Sequence, residues 1–109
     1  EKYYKRGAFG KARRYFRESL KLNPADGSPY LRIAAMYAKS ANDCGDTNFN
    51  KRAVFWLAEQ EARRAGNSSL AANYMAKAPQ KAEIFSAGNG GTTIRIGCWI
   101  GRSVTVPKI

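Results

Sequence analysis

Two cysteines, eight carboxylates and nineteen Lys or Arg side chains are the residues of this chain that could carry chemistry; histidine is absent. Cys44 stands in the stretch ANDCGDTNFN, residues 41–50, which has the polar look of a ligand loop. A calcium loop of the EF-hand kind needs glycine at its sixth position and a bidentate carboxylate at its twelfth. Counted from Asp43, those positions are Asn48 and Val54, so the template fails. Zinc needs clustered Cys and His ligands, and the only two cysteines, Cys44 and Cys98, lie far apart in the chain. Neither belongs to a C-x-x-C pair, which argues against redox catalysis. Two structural roles stay open. In an oxidising compartment Cys44 and Cys98 can form a disulfide, and a closed loop of that length is worth about 4 kcal/mol on chain-entropy grounds. Otherwise Cys98 is a small buried hydrophobe and Cys44 a free loop thiol.

Acid–base catalysis finds no frame. The common general base is missing, and Glu59 and Glu61 are too close in sequence to share a helix face. Glu18, Glu59, Glu61 and Glu83 are expected to pair with surrounding Lys and Arg. The GNGG segment lacks the Lys-Ser/Thr of a phosphate loop and opens a strand rather than a helix. A non-enzymatic protein without cofactor or metal is the reading that remains. Its charge is lopsided, 19 Lys and Arg against 8 Asp and Glu for a net +11, which favours anionic partners.

The elements that position these residues are mostly helical. Phe9, Ala12, Tyr15, Phe16 and Leu20 recur at steps of three or four, predicting a helix from Gly7 to Leu22 that Asn23 and Pro24 end. Ser28 and Pro29 start a second, apolar helix to about Ala41, with Tyr30, Ile33, Ala34 and Tyr37 on one face. A third is predicted over about Asn48 to Ala65, with Gly66 at its end, and a short fourth over about Ser69 to Ala78, closed by Pro79. Beyond the breaker SAGNGG, TTIRIGCWIGRSVTV alternates and is rich in β-branched residues. It predicts strands at about 92–98 and 102–106, joined near Ile100 and Gly101 and leaning on the helices, because an isolated hairpin is marginal in water.

With 44% hydrophobic residues and a length sufficient for one core, the chain reads as one domain without a membrane span. It opens EKYYKRGAFG, with neither start methionine nor leader, and reads as a piece of something longer.

The segment GKARRYFRESLKLNP resembles the second helix of a tetratricopeptide (TPR) repeat, with Gly7, Ala12, Phe16, Leu20 and Pro24 at that family's offsets. SPYLRIAAMY follows in phase as the next repeat's first helix, carrying Tyr30, Ile33, Ala34 and Tyr37. After Tyr37 the phase of a repeat of about 34 residues is lost, because the polar loop is inserted. The combination of repeat helices, a cysteine-bearing insertion, KRAVFWLA and GCWI also resembles the C-terminal part of a group of bacterial TPR proteins, often exported to the cell envelope.

The resemblance implies a mainly α fold: an antiparallel helix-pair solenoid of about four helices with a C-terminal β-hairpin. Residues 1–78 would be the repeats, the first truncated and the last degenerate. Residues 79–91 would be a linker and 92–109 a hairpin cap, in one domain overall. It implies a bacterial periplasmic or cell-envelope location, which a disulfide would suit. It further implies a protein-binding scaffold. Its groove-facing cations Lys5, Arg32 and Lys39 would hold an acidic peptide or protein, while Lys11, Arg14, Arg17 and Lys21 face solvent. Single-stranded nucleic acid, bound through the basic surface, is the alternative partner.

Overall fold

The computed structural model describes residues 8–108. Among them lie five helices, α1 (Phe9–Leu22), α2 (Ser28–Cys44), α3 (Asn48–Arg64), α4 (Ser68–Lys77) and α5 (Lys81–Ala87), followed by strands β1 (Thr93–Ile96) and β2 (Arg102–Thr105). The protein is thus mainly helical with one small antiparallel sheet. No described helix is long and apolar enough to cross a membrane.

Consecutive helices pack on one another, α1 on α2, α2 on α3 and α3 on α4. Turns of three residues between α2 and α3 and between α3 and α4 make these neighbours antiparallel. α3 is the central element: Ala53, Val54, Trp56, Leu57, Ala58 and Ala62 are buried on several of its sides, against α2, α4 and both strands. The alanines let the helices approach closely, Phe55 against Tyr74 fills the groove between α3 and α4, and Phe49 meets Trp56 edge-on along α3 itself.

The stretch 41–50 is less of a loop than its composition suggests. α2 continues through Cys44, and only residues 45–47 connect it to α3. Asn42 and Asp43 fit in the last turn of α2 because they sit on its solvent side. Gly45 is buried, and a Cβ there would collide with the backbone of Asn50 and Lys51, so the turn requires glycine. Thr47 then caps α3, its Oγ1 accepting from the Asn50 amide at 3.0 Å.

Residues 79–91, expected as a linker, contain α5. Pro79 ends what precedes, and Glu83 accepts from the Gln80 amide at 2.8 Å, as in a capping box. Gly88 closes the helix in the left-handed region at φ 64°. Arg52 clamps the junction: it donates to the carbonyls of Lys77 and Ala78 at 3.2 and 3.1 Å and forms an ion pair with Glu83. At the start of α2, the Asp26 carboxylate accepts from the Ser28 hydroxyl and amide, which holds its pKa below the usual carboxylate range.

The strands pair in the register Ile94–Val104 and Ile96–Arg102. Ile96, Ile100, Val104 and Val106 are buried, so the hairpin adds its apolar face to the helical core. The alternation that places Ile94 and Ile96 on one face breaks at the turn, where exposed Cys98 takes φ 62°.

Candidate functional site

Two observations organise the surface chemistry: how the hairpin is fastened, and the cations gathered beside it. Cys44 at the end of α2 and Cys98 in the hairpin turn are joined by a disulfide, with their Cα atoms 5.2 Å apart. Next to it, Trp99 stacks on Tyr37 with ring centres 5.4 Å apart and meets Phe9 edge-on at 5.5 Å. Its indole N–H donates to the Ser40 hydroxyl at 2.9 Å.

Arg13, which sequence reasoning passed over, holds the turn from below. Its guanidinium donates to the carbonyls of Ile100 and Trp99 at 2.8 and 3.1 Å and to the Tyr37 hydroxyl at 3.1 Å, while lying 5.1 Å from the centre of the Trp99 ring. The signal available in the sequence was its position one helical turn after buried Phe9, at the edge of the apolar stripe.

Arg17 also departs from expectation. Instead of being solvated it forms a two-pronged bridge to Glu61 at 2.9 and 3.0 Å, and that hydrogen-bonded pairing raises its pKa further above the ordinary arginine value. Arg64 shares the same carboxylate at 3.1 Å. The other glutamates singled out above are paired as well, Glu18 with Lys21, Glu59 with Arg63 and Glu83 with Arg52. Glu59 and Glu61 are both buried yet serve different arginines.

Alongside this network run two adjoining clefts between α1, the start of α2, the end of α3 and β2. One, of about 250 Å³, is lined by Gly10, Arg13, Arg14, Arg17, Glu18 and Arg102. The other, of about 400 Å³, is lined by Arg17, Leu20, Lys21, Tyr30, Arg64 and Arg102. They share Arg17 and Arg102, so they adjoin, and together they present six cations among the described residues. The carboxylates against them are Glu18, engaged by Lys21, and Glu61, divided between Arg17 and Arg64. A concave surface with such an excess of one sign concentrates counter-charged ligands.

Of the cations expected to face a groove, Arg32 and Lys39 are exposed on α2 and line neither cleft; Arg32 lies over the Phe16 ring. Lys5 falls outside the described residues. A third hollow, of about 420 Å³ at the end of α5, is lined by Ile84, Phe85, Gly88, Gly90 and Lys108 and carries one cation only. Among the described residues no group of three or more His, Cys, Asp or Glu could hold a metal ion.

The Glu61 node yields a test with two readouts. Glu61→Gln removes charge-assisted bonds from a carboxylate that is 5% exposed and leaves Arg17, 28% exposed, without its counter-charge. The expected loss of stability, read from urea unfolding, is about 2 kcal/mol, below that of a wholly buried pair because Arg17 keeps contact with water. The same substitution raises the net charge of the cleft, so the affinity for an acidic peptide is expected to rise.

Compared with models of protein families, with curated proteins and with solved structures, the chain has no match.

Proposed function

We propose that this protein is a non-catalytic interaction scaffold, built on TPR-like helix pairs, that holds an acidic segment of a partner protein in the arginine-lined cleft. The helical array supports the first part. Four helices pack in sequence order, antiparallel to their neighbours, with small residues at the crossings. Arg17 late in α1 meets Glu61 late in α3, as alternate helices running the same way require. α1 and α2 carry the residues that resemble consecutive repeat helices. In this reading the hairpin caps the array.

The observation that carries the binding reading is the six-cation cleft with its apolar flank of Leu20 and Tyr30. Cations held by a folded frame suit carboxylate-bearing side chains presented by a flexible chain. A scaffold also accounts for a chain without histidine whose described glutamates are spent on ion pairs.

Fluorescence anisotropy with a labelled peptide of alternating Glu and Ala tests the proposal. Binding is expected at low salt, weakened about tenfold or more by the charge reversals Arg14→Glu and Arg102→Glu. Arg32→Glu and Lys39→Glu are expected to matter little. No binding of the acidic peptide, with tight salt-sensitive binding of a single-stranded oligonucleotide, would replace this reading with nucleic-acid recognition.

A further inference from the structure

The cations of the cleft differ in what they are already doing. Arg13 is spent on neutral acceptors in the hairpin turn and on the Trp99 ring. Arg17 and Arg64 divide Glu61, and Lys21 is paired with Glu18. Arg14 and Arg102 are exposed and line the smaller cleft together, and their guanidinium groups have no ion-pair or hydrogen-bond partner among the described residues. They come from different elements, α1 and β2, so the two uncommitted forks stand on separate walls of one hollow.

From this arrangement we infer that the smaller cleft is a phosphate subsite that takes a phosphorylated side chain of the acidic partner. The inference rests on the scaffold reading above and narrows its ligand. A carboxylate is planar, carries one charge and offers two oxygens, which satisfy a single guanidinium fork. A phosphate monoester is tetrahedral, brings close to two negative charges and has three accepting oxygens, so it answers forks from two walls at once. Charge agrees with shape. The smaller cleft sets Arg13, Arg14, Arg17 and Arg102 against Glu18, which is engaged by Lys21, and against the share of Glu61 that holds Arg17, so the excess of positive charge rests on Arg13, Arg14 and Arg102. Arg13 meets carbonyl and hydroxyl oxygens, which carry no counter-charge, and it lies at the junction of the two walls. The hollow of about 250 Å³ accommodates the phosphoryl group, while the larger cleft, with Leu20 and Tyr30, receives the flanking residues.

The experiment uses three short Gly-Ala peptides of one sequence carrying phosphoserine, glutamate or serine at the centre, with inorganic phosphate as competitor. The phosphoserine peptide is expected to bind about tenfold more tightly than the glutamate peptide, and inorganic phosphate to displace it. Arg14→Gln and Arg102→Gln are each expected to erase that preference, with circular dichroism unchanged because both side chains are exposed. Arg102→Lys is expected to keep general attraction but lose most of the preference, since an ammonium is a point charge without a fork. Equal affinity for the phosphoserine and glutamate peptides would overturn the phosphate subsite and leave the scaffold reading standing. Preference unaltered in both glutamine variants would overturn its placement here. Failure of every peptide, with the acidic Glu-Ala peptide also failing, would remove both readings.

Discussion

Reduction of the Cys44–Cys98 disulfide is expected to lower the unfolding temperature by roughly 15 °C. The bond joins residues 54 positions apart, and a cross-link of that span removes enough freedom from the unfolded chain to be worth about 4 kcal/mol. In a domain of this size about 4 °C of unfolding temperature accompanies each kcal/mol. The bond fastens the exposed turn of a two-stranded hairpin that would be marginal without its attachments, alongside the contacts of Arg13 and Trp99. Thermal scans by circular dichroism, with and without a phosphine reductant, make the measurement. The double variant Cys44→Ala/Cys98→Ala is expected to unfold near the reduced protein and to ignore reductant. An unchanged unfolding temperature after full reduction would show that the bond adds nothing beyond the contacts around it.

Loss of Arg13 is expected to cost about 3 kcal/mol, read as a shift in the urea midpoint. Arg13→Met preserves much of the aliphatic stem and removes the guanidinium alone. The carbonyls of Trp99 and Ile100 and the hydroxyl of buried Tyr37 then lose a charged donor at one stroke. The attraction between cation and indole, worth about 1 kcal/mol in a partly desolvated setting, goes with it. Arg13→Lys is expected to recover less than half, since one ammonium cannot reach three acceptors spread around a planar fork. Hydrogen exchange adds a local readout: the Gly101 amide, which donates to the Gly97 carbonyl at 3.3 Å inside the turn, should lose protection more than the amides of α4. Uniform loss across the protein would make Arg13 a general core residue rather than the anchor of the turn.

The helices were legible because their punctuation is local. Pro24, Pro29, Gly66 and Pro79 mark ends that no tertiary contact moves by more than a few residues, and the stripe expected on α1 holds for buried Phe9 and Ala12 and half-buried Phe16, while Tyr15 at its edge is exposed. The end of α2 was less visible, because Asn42, Asp43 and Gly45 carry turn chemistry that the packing of Gly45 on the start of α3 overrides for the first two. α5 was hidden by the breaker that follows it, although Gln80 and Glu83 spell half of a capping box. The cleft could not be read at all. Its members come from four elements, and helical spacing shows only that Arg13 and Arg17 flank the apolar stripe of α1, not that a carboxylate on α3 and two carbonyls of a distant turn await them. A charged residue at the border of a stripe is ambiguous until the partner element is known.

The fastening of the hairpin also bears on the order in which this chain acquires its structure. Stacked helix pairs ordinarily fold from neighbour to neighbour, with few contacts between distant parts of the sequence. Here Arg13 and Ile100, 87 residues apart, must meet before either is satisfied. During synthesis α1 and α2 emerge long before the turn that completes them, so the aromatic floor of Phe9 and Tyr37 waits uncovered until Trp99 arrives. A segment that would otherwise assemble piecemeal is thereby made to finish as a unit, its first described helix joined to its last turn.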